Sequence, residues 1–318
     1  MSMKGYLSAA LLSFVLSFVL CMVEIPLLRR LKAGQNILGY VKEHQNKSGT
    51  PTMGGLAFIL AACIVPLIFY GFSDKPLYVS VAIGLGFMIV GFLDDFLKLK
   101  HKENLGLKVY QKIVFQLVVA VSASMYCYLD GLTLVYIPFT DISFNIGWGI
   151  IPLGIFVFLA AVNSVNLTDG LDGLASGSSI AYFLSMGLLI LLRSQFFALS
   201  TLCFCLTAAL AAYLVFNTNR ASVFMGDTGS LSLGGFVACV GIFSGNLLYI
   251  AVIGAVFVLS SITVIIQVIY YKKTGKRVFK MAPIHHHFQE KGYSESKISY
   301  CYGLVTLALG ALSILALP

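Results

Sequence analysis

Ten apolar runs, each close to the length of a membrane-spanning helix, occupy most of this chain. A helix needs roughly 20 apolar residues to cross the hydrocarbon core of a bilayer. Of the 318 residues, 58% are hydrophobic and 11% are charged, which excludes an ordinary soluble domain. We therefore predict an all-α integral membrane protein, a single polytopic domain over residues 1–318, with spans at 6–28, 53–70, 77–97, 107–129, 150–165, 174–192, 197–216, 231–243, 247–271 and 298–317.

The basic residues are distributed unequally between the two sides of these predicted spans. Of the 21 Lys and Arg residues, all but Lys4, Lys75 and Arg193 fall on one side. Because Lys and Arg are enriched in cytoplasmic loops, we predict that this side is cytoplasmic and that both termini lie outside. The net charge of +8 then reflects topology, and the basic face would attract anionic lipid or a phosphorylated substrate rather than nucleic acid.

The segment between the fourth and fifth runs is the one stretch with strand character. Residues 133–149 alternate loosely in polarity, with a turn signal near Asp141. This pattern predicts a small extracytoplasmic β-hairpin.

Aspartates gather at the predicted cytoplasmic ends of the helices. A single aspartate at a helix end is usually a cap. A carboxylate close to the hydrocarbon core of the membrane is energetically unfavourable, however, and it ordinarily faces a polar cavity. Because five of them come from three separate segments, we predict a functional site that contains Asp94, Asp95, Asp169, Asp172 and Asp227.

The stretch GFLDDFLK, residues 91–98, places two aspartates side by side. Asp94 and Lys98 are four residues apart and would share a helix face, so an exposed ion pair is the simpler alternative. Asp95 would point about 100° away from Asp94. We expect one carboxylate to act as a base or bind a metal, the other to be held by hydrogen bonds, and Lys98 to screen phosphate charge.

The stretch NSVNLTDGLDGLA, residues 163–175, repeats polar side chains every three residues. If the segment is helical, Asn166, Asp169 and Asp172 share one face. Gly170 and Gly173 carry no side chain, which leaves room for a bulky ligand to approach closely.

The stretch FNTNRASVFMGDTGSLSLGG, residues 216–235, places Asp227 at the start of the eighth span. Free N–H groups and the positive end of a helix dipole make a natural phosphate site there. Carboxylates beside phosphates suit Mg²⁺. Phe224 either anchors the loop or, given its polar neighbours, stacks on a flat ring such as a nucleobase.

Two further segments contribute cations and hydroxyls. In MAPIHHHFQEKG, residues 281–292, the three histidines would point in different directions on a helix, and HExxH is absent, so zinc is disfavoured. Hydrogen bonds from histidine to phosphate oxygens fit better.

KSGTPTMGG, residues 47–55, adds Lys47 and two threonines. Acids for Mg²⁺ and cations for phosphate are the groups that phosphoryl transfer requires, here between one water-soluble and one lipid-borne substrate.

These motifs together resemble the phospho-N-acetylmuramoyl-pentapeptide-transferase family. GTPTMGG, GFLDDFLK, NSVNLTDGLDGLA, FMGDTGSLSLGG and MAPIHHHF follow in the expected order between residues 47 and 292. The aspartate motifs alone would indicate the wider polyprenyl-phosphate N-acetylhexosamine-1-phosphate transferase superfamily, whereas PTMGG and APIHHHF favour the muramoyl branch. Gln289 and Tyr293 stand where many relatives have Glu and Trp.

The resemblance implies an activity. It is the transfer of phospho-MurNAc-pentapeptide from UDP-MurNAc-pentapeptide to undecaprenyl phosphate, with Mg²⁺, to give lipid I and UMP in peptidoglycan synthesis. It also implies a bacterial inner-membrane homodimer with a cytoplasm-facing site. The residue roles it implies are Asp227 as the Mg²⁺ ligand; Asp94 and Asp95 beside the lipid phosphate, with Asp94 as candidate base; Lys98 as a neutralising cation; Asn166, Asp169 and Asp172 on the nucleotide-sugar side; His285, His286 and His287 toward substrate or diphosphate; and Lys47, Thr52, Asn217, Phe224 and Gln267 around the nucleotide.

Two alternatives remain at this point. A sister enzyme that transfers GlcNAc-1-phosphate from UDP-GlcNAc to the same lipid would share Mg²⁺ and every aspartate, and the histidine segment discriminates against it. An ion-coupled transporter would need acids near mid-span and inverted repeats with broken helices. The acids of this chain lie instead at the predicted helix ends.

Overall fold

The computed structural model describes residues 2–31, 49–101, 106–193 and 195–317. These residues form twelve α-helices, a short 3₁₀ helix at Gly147–Gly149 and one two-stranded sheet. The elements are α1 (Met3–Arg30), α2 (Gly55–Tyr70), α3 (Lys75–His101), α4 (Val109–Leu129), β1 (Leu134–Tyr136), β2 (Ser143–Asn145), α5 (Ile150–Thr168), α6 (Leu174–Arg193), α7 (Phe197–Asn217), α8 (Gly226–Phe243), α9 (Leu247–Ile253), α10 (Ala255–Thr274), α11 (Ile284–Gln289) and α12 (Glu295–Leu315).

The described residues include nine helices that are long and apolar enough to cross a membrane. This finding confirms a multi-pass, all-α membrane protein. The second predicted span is the exception, because α2 has 16 residues and at 1.5 Å per residue extends about 24 Å, less than a hydrocarbon core of about 30 Å.

Two predicted spans have different boundaries in the structure. The run 247–271 is not one helix, because it is interrupted at Gly254. Helix α9 ends just before this glycine, whose N–H donates to the carbonyl of Ile250. The predicted eighth span at 231–243 is too short, since α8 begins at Gly226. Asp227 lies in the first turn of α8, at the helix start where the sequence placed it.

Helix α8 lies at the centre of the described bundle, where it packs against α3 on one side and α5 on the other. Glycines allow the close approach: a side chain at Gly91 would overlap the carbonyl of Asp227, and one at Gly234 would overlap the backbone of Val162. Small residues at helix contacts let backbones come together inside a membrane protein. This packing places the end of α3 directly beside the start of α8.

The strands β1 and β2 form an antiparallel hairpin at the opposite end of α4 and α5 from the aspartates. Leu134 pairs with Asn145, and Asp141 falls in the connecting turn. The Arg193 guanidinium anchors the hairpin by donating to the carbonyl of Thr140 at 2.8 Å and by lying 4.4 Å from the centre of the Tyr136 ring. The side of the membrane that carries this hairpin remains a prediction.

Candidate active site

Three of the five predicted aspartates meet where α3 ends and α8 begins. One carboxylate oxygen from each of Asp94, Asp95 and Asp227 lies within 4.8 Å of the other two, an arrangement that could hold a metal ion. Asp94 and Asp95 are buried, and the side chain of Asp227 is 16% exposed. A buried group of carboxylates is unfavourable unless cations compensate the charge.

Two lysines provide that compensation. Lys98 Nζ lies 2.6 Å from Asp94 Oδ2 and 3.1 Å from Asp227 Oδ2, so this lysine joins the two helices. Lys112, in the first turn of α4, places its Nζ 2.7 Å from the same Asp227 oxygen. The Asp94–Lys98 pair is therefore part of a buried network, and the simpler interpretation as an exposed surface pair is wrong.

Asp95 acts as the cap of α8. Its Oδ1 accepts a hydrogen bond from the backbone N–H of Asp227 at 3.2 Å. Its Oδ2 accepts from the backbone N–H and the hydroxyl of Thr228, at 2.9 and 2.7 Å. The expectation of free N–H groups at this helix start is thus wrong, because a carboxylate from α3 already binds them. Of the two adjacent aspartates, Asp95 is the one held by hydrogen bonds.

Asp94 has a different environment from Asp95. Its Oδ1 accepts a hydrogen bond from the N–H of Leu107 at 2.8 Å, and its Oδ2 lies 2.6 Å from Lys98 Nζ. The Leu107 contact ties the start of the α4 segment to α3. Asp94 therefore contacts the segment before α4 and Lys98, whereas Asp95 accepts three hydrogen bonds from the start of α8.

The predicted common face of Asn166, Asp169 and Asp172 does not form. Helix α5 ends at Thr168, so Asp169 is its C-cap and Asp172 lies in the turn that follows. Asn166 Nδ2 donates to Asp227 Oδ1 and to Ser230 Oγ, both at 2.8 Å. Asp172 instead accepts from the backbone N–H of Ala221 at 3.1 Å, which joins two loops.

Asp169 faces the acidic cluster. Desolvation of its partly buried carboxyl, together with the charges of Asp227, Asp95 and Asp172, raises the pKa of Asp169 to about 8. Asp169 therefore holds a proton readily near neutral pH. Perturbed carboxyl groups of this kind often belong to functional sites.

The histidines of α11 lie against the Gly170 backbone. A side chain at Gly170 would lie 2.5 Å from His285 Nε2 and 3.0 Å from His286 Nε2, so only glycine leaves space for both rings. His285 is fully buried, and among the described residues neither of its ring nitrogens has a hydrogen-bond partner. Desolvation, reinforced by His286, lowers the pKa of His285 to about 3. This histidine is neutral at pH 7 and brings an unpaired donor and acceptor to the site.

The other two histidines make contacts within their own segment. His286 Nδ1 lies 3.0 Å from Gln289 Oε1, and His287 Nδ1 accepts from the backbone N–H of Lys280 at 3.1 Å. The Lys280 contact gives His287 a role in holding the loop before α11.

The residues predicted around the nucleotide fall into two places. Asn217 is buried and joins loops, with its Oδ1 accepting from Ser176 Oγ at 2.7 Å and its Nδ2 donating to the Val223 carbonyl at 3.0 Å. Phe224 is the residue after Val223 and is partly buried. Thr52 is buried and lies beside Gly226. Gln267 is apart from them on α10, where its amide binds the backbone of Phe279. Lys47 lies outside the described residues.

Lys112 and Thr228 are the site residues that sequence reasoning missed. The signal for Lys112 was weak, because Lys108 stands one turn earlier in the same basic segment and nothing in the spacing distinguishes the two. Thr228 adjoins the predicted Asp227, but its hydrogen bonds to Asp95 depend on the packing of α3 against α8.

The donor set fits Mg²⁺. Hard carboxylate oxygens are the ligands this ion prefers, and Asp94, Asp95 and Asp227 supply them within one small volume. Lys98 and Lys112 partly balance the charge of these three carboxylates. Among the described residues, the two ammonium groups leave one negative charge of the cluster uncompensated. Asp227 is the best placed to bind the ion, since it is the most exposed of the three carboxylates.

Comparisons with known proteins show which family the chain belongs to. Residues 77–245, which carry all three carboxylates, match the family model of Glycosyl transferase family 4. Residues 47–59 match phospho-N-acetylmuramoyl-pentapeptide-transferase signature 1. A protein with that transferase name from Clostridium botulinum (strain Eklund 17B / Type B) is 42% identical over 316 residues, 98% of this chain and 96% of the relative. Another, from Bacillus thuringiensis (strain Al Hakam), is 41% identical over 98% of this chain and 97% of its own.

These matches cover nearly the full length of the chain and of its relatives. The chain belongs to the phospho-N-acetylmuramoyl-pentapeptide-transferase family, which confirms the resemblance recognised from its motifs.

Proposed function

We propose that this protein transfers phospho-MurNAc-pentapeptide from UDP-MurNAc-pentapeptide to undecaprenyl phosphate, and so makes lipid I and UMP with Mg²⁺. Its relatives carry the name phospho-N-acetylmuramoyl-pentapeptide-transferase, which supports the proposal. The observation that carries it is the meeting of three carboxylates and two lysines at the boundary of the apolar helices. We further propose that this face is turned to the cytoplasm of a bacterial cell and that the protein works as a homodimer.

The reaction forms one phosphoanhydride bond and breaks another. A phosphate oxygen of the lipid attacks the phosphorus that bears the sugar, and UMP leaves with the electron pair of the broken bond. The principal tasks of such a site are positioning and charge neutralisation. Lys98 and Lys112, both within 3.1 Å of Asp227, supply mobile positive charge for the phosphate groups.

Asp94 is the candidate base for the lipid phosphate. A phosphate monoester has a second pKa of about 6, so a fraction of it carries a proton near neutral pH. Asp94 has acceptor capacity left after its contacts with Leu107 and Lys98. The hydrogen bonds that Asp95 accepts from Thr228 make Asp95 a poor nucleophile.

Mg²⁺ bound at Asp227, with the two α3 carboxylates nearby, would neutralise charge on the diphosphate of the donor. On the donor side, Asn166 binds Asp227, and the α11 histidines lie against Gly170, the residue that follows Asp169. The ring of Phe224 would stack on the uracil of the donor.

UMP release by purified protein in detergent tests this proposal. Undecaprenyl phosphate is supplied with either UDP-MurNAc-pentapeptide or UDP-GlcNAc, each with Mg²⁺ and with EDTA. We expect EDTA-sensitive release from the muramoyl donor alone. Release from UDP-GlcNAc alone would assign the protein to the sister reaction. No release from folded, monodisperse protein with either donor would overturn the proposal.

A further inference from the structure

One carboxylate lies far along the chain from the site, within the apolar helix α1. Glu24 is partly buried and, among the described residues, its Oε1 is buried with no hydrogen-bond partner. Its Oε2 accepts a hydrogen bond from the backbone N–H of Ala57 at 3.3 Å. An acid inside a membrane helix is costly and usually marks a function.

The partner of Glu24 is the start of another helix. Ala57 is the third residue of α2, and the first N–H groups of a helix have no partner within it. The residue before α2, Gly54, offers no side chain to cap them. Glu24 therefore caps α2 from α1, with its carboxyl oxygen accepting from one of these otherwise unpaired N–H groups.

The segment that leads into α2 is paired with the segment that leads into Asp227. The Gly54 N–H donates to the carbonyl of Phe224 at 2.9 Å, and the Phe224 N–H donates to the carbonyl of Pro51 at 2.8 Å. Gly55 continues the pairing with Met225 at 3.2 Å. Any shift of the α2 start is passed through these hydrogen bonds to Phe224.

Among the described residues, side chains of other helices bind Asp227 itself, whereas for Phe224 they bind the carbonyl of the preceding residue, Val223. Asp95 on α3 and Asn166 on α5 both bind Asp227 directly. The Phe224 backbone is held by its pairing with residues 51–54. A disturbance at the start of α2 should therefore reach Phe224 much more than Asp227.

We propose that Glu24 is a positioning residue: by capping α2 it fixes the paired segments that place Phe224 for the nucleotide of the donor. The proposal rests on the proposed function, since it takes a UDP-linked substrate as the ligand of Phe224. Because Glu24 acts through Phe224 and not on the substrate directly, we expect its loss to change the KM for the donor rather than kcat.

The experiment is steady-state kinetics of UMP release by wild type and by Glu24→Leu, Glu24→Gln and Ser17→Ala, with thermal stability measured for each. Ser17 is a matched control on the same helix, because its hydroxyl donates to the Ala209 carbonyl on α7 at 2.8 Å rather than to the start of α2. We expect Glu24→Leu to raise the donor KM about tenfold, the equivalent of one lost hydrogen bond. Its kcat and its KM for the lipid should stay within about twofold of wild type.

Glu24→Gln keeps an oxygen that can accept from Ala57, and we expect it to restore the wild-type donor KM. If Glu24→Leu does not fold, Glu24→Asp replaces it, because the shorter acid cannot reach Ala57 and should raise the donor KM in the same way. An unchanged donor KM in the folded variant, or equal losses in kcat and both KM values, would overturn the proposal. Failure of the wild-type protein to use UDP-MurNAc-pentapeptide would overturn the proposed function, and the same comparison would then be made with the donor it does use.

Discussion

The carboxylate of Asp95 accepts hydrogen bonds from both the N–H and the hydroxyl of Thr228, at 2.9 and 2.7 Å, and thereby ties the end of α3 to the start of α8. This connection sets where Asp94 and Lys98 stand relative to Asp227. The two adjacent aspartates of α3 thus have different contacts, since Asp95 binds the start of α8 and Asp94 contacts Leu107 and Lys98. We propose that Asp94 is the one that acts on the lipid phosphate.

Asp95→Ala should lower stability and activity together. The change leaves the N–H groups of Asp227 and Thr228 unpaired in a buried place, which costs about 1–3 kcal/mol per group. Asp94→Asn is the comparison, because its amide oxygen still accepts from Leu107, and it should lose turnover while it keeps its melting temperature. Thermal unfolding in detergent and UMP release distinguish the two variants. A wild-type melting temperature for Asp95→Ala would contradict the structural role.

Lys112→Gln should reduce turnover by about 100-fold, the usual effect of removing one preorganised electrostatic contact. The lysine lies 2.7 Å from Asp227 and adds charge that the donor phosphates require. Lys108→Gln is the matched control, since Lys108 is exposed one turn earlier on the same segment. Similar rates for Lys112→Gln and Lys108→Gln would show that the Lys112 contact has no part in turnover.

Gly170→Ala should disturb the histidines without unfolding the protein. The new methyl group would lie 2.5 Å from His285 Nε2, so the ring must move. A displacement of about 1 Å at a site can cost about 100-fold in rate. Gly177→Ala adds the same methyl group on α6, where nothing lies within 4 Å, and should be tolerated. Wild-type turnover in Gly170→Ala would argue against any role for the α11 histidines in the reaction.

Asp169 predicts a dependence of stability on pH. Its pKa rises to about 8 in the folded protein from an ordinary value of about 3.9. The folded state therefore binds this proton more tightly than the unfolded state does. As the pH rises from the unfolded-state pKa to the folded-state pKa, Asp169 lowers the free energy of unfolding by an increasing amount. Asp169→Asn removes that effect, so the variant should exceed wild type in melting temperature at pH 8, with a smaller difference at pH 5.

Melting temperatures in metal-free buffer at several pH values check this prediction. Asp141→Asn, in the exposed hairpin turn, controls for the loss of one carboxylate. A difference between Asp169→Asn and wild type that is the same at pH 5 and pH 8 would mean that Asp169 does not titrate in this way.

The sequence predicts the membrane class and the acidic site because both depend on local patterns. Apolar runs of helical length mark the spans, and Asp94, Asp95 and Asp227 are recognisable as costly residues at their ends. The family could also be recognised, because the motifs themselves carry the resemblance.

Other features depend on contacts that no local pattern contains. The break at Gly254 occurs within an uninterrupted apolar run, and the end of α5 at Thr168 separates Asn166 from Asp172. The cap that Asp95 provides for α8 joins residues 133 positions apart, so it follows from packing alone. The same holds for Glu24 and Ala57, which are 33 positions apart.

The most direct test of this account is UMP release by Asp227→Asn compared with wild type, with both donor and lipid present and Mg²⁺ titrated. The substitution keeps the shape of the side chain but removes the charge that pairs with both lysines and that we propose binds Mg²⁺. We expect turnover to be abolished at every Mg²⁺ concentration, with the fold intact by thermal unfolding. Retained turnover at ordinary Mg²⁺ concentrations would contradict the claim that Asp227 is the metal ligand of the reaction.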